Sequence, residues 1–227
     1  VVVEDEHPYR VTAVTLEPAP AGDGVPVFEP YPAQELPARL HAVLAGLAEW
    51  GRFFGAVLVA RDGKPVLRKA YGPADLELGV LNEVTTRFDL ASLDQMFTAV
   101  VVAKLVQEGK LAFDDPIGEH LEGWVAPEVG TAVTVHHLLT HTSGLGDYRW
   151  DALALPRGQP LRELADYKPI TLADRPAFDP GTQHRESPTG YLLLGAIVEA
   201  VSGRPYAEVL RETVHGPAMM IDTGMFA

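Results

Sequence analysis

The chain has 227 residues, 47% of them hydrophobic and 22% charged, with 31 acidic against 18 basic side chains and a formal net charge of −13. That length buries a real core in one large domain or two small ones, and the acidic balance argues against nucleic acid or an anionic membrane as partner. There is no cysteine, so disulfides and thiol chemistry are excluded and the compartment cannot be read from redox.

The chain opens on Val1 without a signal-peptide pattern, which predicts an export signal already removed or a trimmed start. No apolar run approaches membrane-spanning length. Residues 1–17 read as a strand with loose alternation at Tyr9, Val11, Val14 and Leu16. Residues 18–37 carry Pro18, Pro20, Pro26, Pro30, Pro32 and Pro37, the composition of a linker or an extended arm. Residues 36–50 place Leu36, Leu40, Val43, Leu44 and Leu47 at helical spacing. Residues 55–60 and 65–71 flank Asp62-Gly63, a hairpin signal. The first arm is almost wholly apolar, which predicts a central strand covered on both faces.

A serine, Ser92, stands ahead of the apolar run from Ala99 to Val106, and Gly109 marks that helix's end. Asp114-Asp115-Pro116 opens a short helix, and a second spans Thr134 to Thr140, closed by Ser143-Gly144-Leu145-Gly146. Prolines 156, 160, 169, 176 and 180 break up residues 150–180. Tyr191 to Val201 is apolar almost all round, hence a buried helix, and it stops at Ser202-Gly203-Arg204-Pro205. A last short helix covers Ala207 to Val214. The expected organisation is an N-terminal strand and arm (1–37), a helix and hairpin (38–90), a mainly helical domain (91–205) and a return segment (206–227).

Ser92 has two readings at this stage. Ser92 and Gln95 have capping-box spacing, in which the serine caps free N–H groups and the glutamine reaches back. Alternatively the serine is a nucleophile at the positive end of the helix dipole. The surrounding blocks bear on the choice: residues 54–64 (FGAVLVARDGK), 87–92 (RFDLAS), 137–145 (HLLTHTSGL), 180–182 (PGT), 189–199 (TGYLLLGAIVE) and 216–224 (GPAMMIDTG). In this order they resemble the serine β-lactamase-related family of class C β-lactamases, D-Ala-D-Ala carboxypeptidases and β-lactamase-like esterases.

The resemblance implies an α/β fold, β-lactamase-like, with an antiparallel sheet flanked by helices, a helical domain and a cleft between them. It also implies a secreted or periplasmic location in preference to a cytoplasmic one. The family's nucleophile lies in S-x-x-K, which places Ser92 at the serine and Gln95 at the lysine. The Tyr-x-Asn positions hold Glu186, Ser187 and Pro188. The third motif, on a late strand, has no counterpart here, and the resemblance implies further C-terminal strands. This predicts that the sheet is completed by a second chain, a swapped copy or a cleaved fragment.

These replacements alter the chemistry. Gln95 is an amide and takes no proton usefully; it can hold Ser92 by a hydrogen bond. Glu186 serves as a base if desolvation raises its pKa, and its charge favours neutral esters or amides over anionic substrates. Pro188 lacks a side-chain amide for a substrate carbonyl, and loss of one oxyanion-type donor costs about 10²–10³ in rate. His184 and Glu186, two apart, share one face of an extended stretch and with Ser92 spell a Ser–His–Glu triad, whose alternative is three polar loop positions. Ser143 and Ser187 read as loop hydroxyls making local backbone bonds. By family analogy Tyr148 lines the cleft.

His137 and His141 are four apart, a zinc-like spacing, with His136 beside them; Asp94, His184 and Glu186 form another conceivable ligand set. The first block lacks the glutamate of H-E-x-x-H, and no metal or cofactor is expected. Two classes remain open: a serine hydrolase working through an acyl-serine at Ser92, its activity impaired or altered by Gln95 and Glu186 at the activating positions, or a non-catalytic relative, natural or engineered, that binds or scaffolds.

Overall fold

The computed structural model describes residues 2–3, 11–13, 32–153, 161 and 163–225. It divides into two compact units at Thr86/Arg87. Tyr9, Val14, Leu16, most prolines of the 18–37 stretch, and Pro156 and Pro160 lie outside the described residues. From the strand expected near the N-terminus, β2 (Val11–Ala13) is described, paired antiparallel with β1 (Val2–Val3).

In the first unit, α1 (Leu36–Glu49) begins with a proline in its first turn, where the missing N–H is no loss. β3 (Gly55–Arg61) and β4 (Lys64–Tyr71) form the expected hairpin. Its turn places Asp62 at φ 49° and Gly63 at φ 73°, the left-handed pair a two-residue hairpin loop requires. α1 packs on β4: His41 Nδ1 and the Tyr71 hydroxyl are 3.2 Å apart, and Leu67 and Tyr71 are buried. β5 (Pro73–Asp75) and β6 (Val80–Leu81) follow, with Asn82 donating to the Tyr71 and Pro73 carbonyls. The expectation of a strand covered on both faces is corrected. Among the described residues β3 pairs with β4 alone, and Leu58 is 63% exposed, because nothing described packs over that face.

The second unit is helical. It contains α2 (Gln95–Gln107), α3 (Pro127–Ala132), α4 (Val135–Leu139), α5 (Tyr148–Leu153), α6 (Lys168–Ala173), α7 (Pro188–Ser202) and α8 (Tyr206–Leu210). α7 is the central rod. Leu192 to Val198 are all buried, as its unbroken apolar sequence demands. α2 lends it Val101, Val102 and Leu105, and α4 lends it Val135 and Leu138, forming one core. The helix expected after Pro116 is a single 3₁₀ turn, Ile117–Glu119. The helix expected to Val214 ends at Leu210 and continues as a π-turn, Arg211–His215, packed on α2. Gly144 sits at φ 79° where an added Cβ would lie 2.7 Å from the Phe178 carbonyl oxygen, so this turn admits no side chain. Among the described residues no helix is long and apolar enough to cross a membrane.

Candidate active site

Ser92 sits in a 3₁₀ turn, Ala91–Asp94, immediately before α2. Asp89 Oδ1 accepts from the Ala91 N–H at 2.8 Å, and Ala91 itself lies at φ 46°. A non-glycine residue in that region is sparsely populated and held there by its surroundings. The turn leaves Ser92 exposed, with its Oγ donating to Glu186 Oε1 at 3.3 Å. The capping box between Ser92 and Gln95 is not formed. The residue before α2 is Asp94, which makes no side-chain cap bond, because Ser92 belongs to the preceding 3₁₀ turn.

Gln95 does not hold Ser92 either. Its Oε1 lies 3.2 Å from His141 Nε2. His141 Nδ1 in turn receives the backbone N–H of Ser187 at 3.1 Å. His141 stands at φ 57° just past α4, and its ring lies 5.0 Å from that of Tyr191. Burial pushes its pKa down, the Glu186 carboxylate opposes this, and His184 adds to it.

Ser187, fully buried, caps α7: its Oγ accepts from the Gly190 N–H and donates to the Gly146 carbonyl, both at 3.0 Å. The local backbone bonding expected of Ser187 is thus present, as is that of Ser143, whose Oγ accepts from the Leu145 N–H. Pro188 occupies the first turn of α7, with Ser187 as its cap and Glu186 just before it.

A cavity of about 970 Å³ opens beside this constellation, lined among others by Ser92, Gln95, Thr98, Tyr148, Pro188 and Tyr206. Tyr148 is part of its wall. Its backbone N–H donates to Thr189 Oγ1, and its ring meets Tyr167 edge-on at 5.2 Å. Burial raises the phenol pKa of Tyr148, Tyr191 and Tyr206, which keeps them neutral. The Tyr206 and Thr98 hydroxyls are 2.7 Å apart. Arg149, also on the wall, is clamped to Asp147 by two hydrogen bonds, which lower the Asp147 pKa. Sequence reasoning missed His141, Thr98 and Tyr206. His141 was visible only as half of a histidine pair, and no spacing rule links it to Gln95, 46 residues away.

Two expectations for this region are corrected. His184 is exposed and its ring meets His141 edge-on at 6.0 Å, with no hydrogen bond to Ser92 or Glu186, so no Ser–His–Glu relay is assembled. Glu186 is exposed as well. The histidine pair is divided between partners: His137 Nδ1 accepts from the Thr134 N–H in a capping box, while His141 faces Ser187. Among the described residues one group has metal-ligand atoms within 4.8 Å of one another, namely Asp115, Glu119 and His120. Asp115 Oδ2 there already accepts from the Ala112 N–H and lies 3.0 Å from His120 Nε2.

Ser92 thus stands exposed on a tight turn before α2, facing a cavity lined by residues of the second unit. The chain belongs to the Beta-lactamase family, whose model matches residues 40–227. It is 38% identical over 205 residues to the esterase EstB of Burkholderia gladioli, covering 85% of this chain and 52% of that protein. It is 31% identical to penicillin-binding protein 4* of Bacillus subtilis, covering 83% of this chain and 41% of that one. The crystal structure of a penicillin-binding protein from Bacillus halodurans superposes with a TM-score of 0.71 at 34% identity, over 83% of this chain and 56% of that chain. The chain thus spans about half the length of the curated relatives it matches.

Proposed function

We propose that the protein is a serine hydrolase of neutral esters or amides, with Ser92 as the acyl-accepting nucleophile and Glu186 as the acceptor of its proton. The observation that carries this is the direct hydrogen bond from Ser92 Oγ to Glu186 Oε1, 3.3 Å. In the acylation step Oγ bonds to the substrate's carbonyl carbon as its proton passes to Glu186, and the alcohol or amine departs with that proton. Water then cleaves the acyl-serine by the reverse relay.

Charge supports a neutral substrate. Asp94, Glu163 and Glu199 also line the cavity, and its two arginines, Arg149 and Arg204, are paired with Asp147 and with Glu208 and Glu212. Similarity to an esterase adds to this reading. The test is covalent labelling by a fluorophosphonate, with Ser92→Ala as control. A second reading, a non-catalytic binding module, draws on Gln95 being committed to His141 and on the exposure of Glu186; it predicts no adduct on a folded protein.

The unpaired edge of β3 among the described residues supports one more proposal: a second chain or swapped copy adds strands to the hairpin. Light scattering tests it, a monomer mass for the isolated chain counting against it.

A further inference from the structure

Helix α2 carries Ser92's turn, and the segment before α7 carries Glu186. These two pieces, 94 residues apart, must be held in register for the serine–carboxylate bond to exist. His141 is the side chain that touches both sides. One ring nitrogen faces Gln95 of α2 at 3.2 Å and the other faces Ser187, next to Glu186, at 3.1 Å.

The chemistry of these partners fixes the ring's proton. The Ser187 backbone N–H is a donor and nothing else, so His141 Nδ1 must carry a lone pair. A neutral ring then bears its proton on Nε2, where the Gln95 carbonyl oxygen accepts it. Both contacts are satisfied together in this one tautomer. An imidazolium would set a second N–H against that of Ser187.

From this geometry we propose that His141 is a positioning residue, a neutral Nε2–H clasp that holds the serine turn and the Glu186 segment together and releases them when it is protonated. This deepens the function proposed above and rests on Ser92 and Glu186 acting as stated there. The ring is flanked by Tyr191, tilted 36° to it at 5.0 Å, and by His184, edge-on at 6.0 Å. The titratable groups that bear on it are Glu186, which favours the imidazolium, and His184, which opposes it; burial outweighs Glu186 and keeps the ring neutral near pH 7. Its backbone at φ 57° is a conformation that asparagine tolerates far better than glutamine or alanine.

Two measurements on the intact chain test the clasp. The first is ¹⁵N-resolved NMR of the histidine rings, which involves no catalysis. The expected result is His141 with bare Nδ1 and protonated Nε2 at neutral pH; the other tautomer overturns the proposal. The second is the pH profile of Ser92 labelling by a fluorophosphonate in wild type, His141→Asn and His141→Gln, with folding followed by circular dichroism. Wild-type labelling should fall on the acid side as His141 protonates. His141→Asn retains an acceptor for the Ser187 N–H, so it should fold and lose labelling by about 10–100-fold, the scale of a misplaced reacting pair. It should also lose the histidine-controlled part of the acid limb. His141→Gln, which cannot reach Ser187 in the same way, should lose more. A folded His141→Asn with wild-type rate and pH profile overturns the clasp. Glu186→Gln separates the two ideas: unchanged labelling there removes the base assigned to Glu186, while the tautomer and the His141 variants still decide the clasp.

Discussion

The amide of Gln95 accepts a hydrogen bond from His141 Nε2 at 3.2 Å, so the side chain that the resemblance sets at the lysine of S-x-x-K looks to a histidine and not to Ser92. A lysine placed there meets an N–H donor and fits that contact only as the free amine, the form able to take a proton from Ser92. The Glu186 carboxylate, bonded to Ser92 Oγ, opposes this by favouring the ammonium. Gln95→Lys alone therefore sets an ammonium against the His141 Nε2–H, breaks the clasp and is expected to lower fluorophosphonate labelling of Ser92 by about 10–100-fold. Gln95→Lys with Glu186→Tyr is expected to raise it by at least ~10², the low end of general-base catalysis. Labelling rates of the single and double variants check this.

The start of α7 is a structural keystone. Ser187→Ala removes the acceptor for the buried Gly190 N–H and the donor to the part-buried Gly146 carbonyl. The expected loss is about 1–3 kcal/mol. Gly144→Ala in the adjoining turn sets a Cβ against the Phe178 carbonyl at a positive φ and is expected to cost at least ~2 kcal/mol. Urea denaturation of both variants measures these values.

Stability should fall on the acid side through histidine. Burial is the largest influence on His137 and on His141 and lowers both pKa values. Between the lowered folded value and the unfolded value near ~6.5 the unfolded chain binds more protons, so stability rises with pH there. The contribution is complete above the unfolded value and is lost as pH falls through the folded ones. Urea midpoints at about pH 7.5 and about pH 5 are expected to differ in that direction, and His141→Asn is expected to shrink the difference.

Local chemistry made much of this fold legible. Asp62-Gly63 specifies its turn by positive φ at both residues, and the apolar run of α7 and its left-handed Gly203 announce a buried helix and its end. Ser92 and Glu186, which the resemblance sets at motif positions, are hydrogen-bonded in the structure, a contact that no spacing predicted. What sequence spacing could not show is which partner each polar group takes. Ser92 looked like a cap until the 3₁₀ turn moved the cap position to Asp94. Gln95 looked like a support for Ser92, yet His141, far along the chain, claims its amide. The exposure of Glu186 and of Leu58 depends on what packs over them, and no residue pattern encodes that.

The nucleophilic role proposed for Ser92 is tested most directly by intact-mass analysis after exposure to a fluorophosphonate, with peptide mapping of the adduct. A single adduct on Ser92, abolished by Ser92→Ala and slowed by at least ~10² in Glu186→Gln, is the predicted result. A folded protein that gains no mass, or one modified at a different residue, would contradict it.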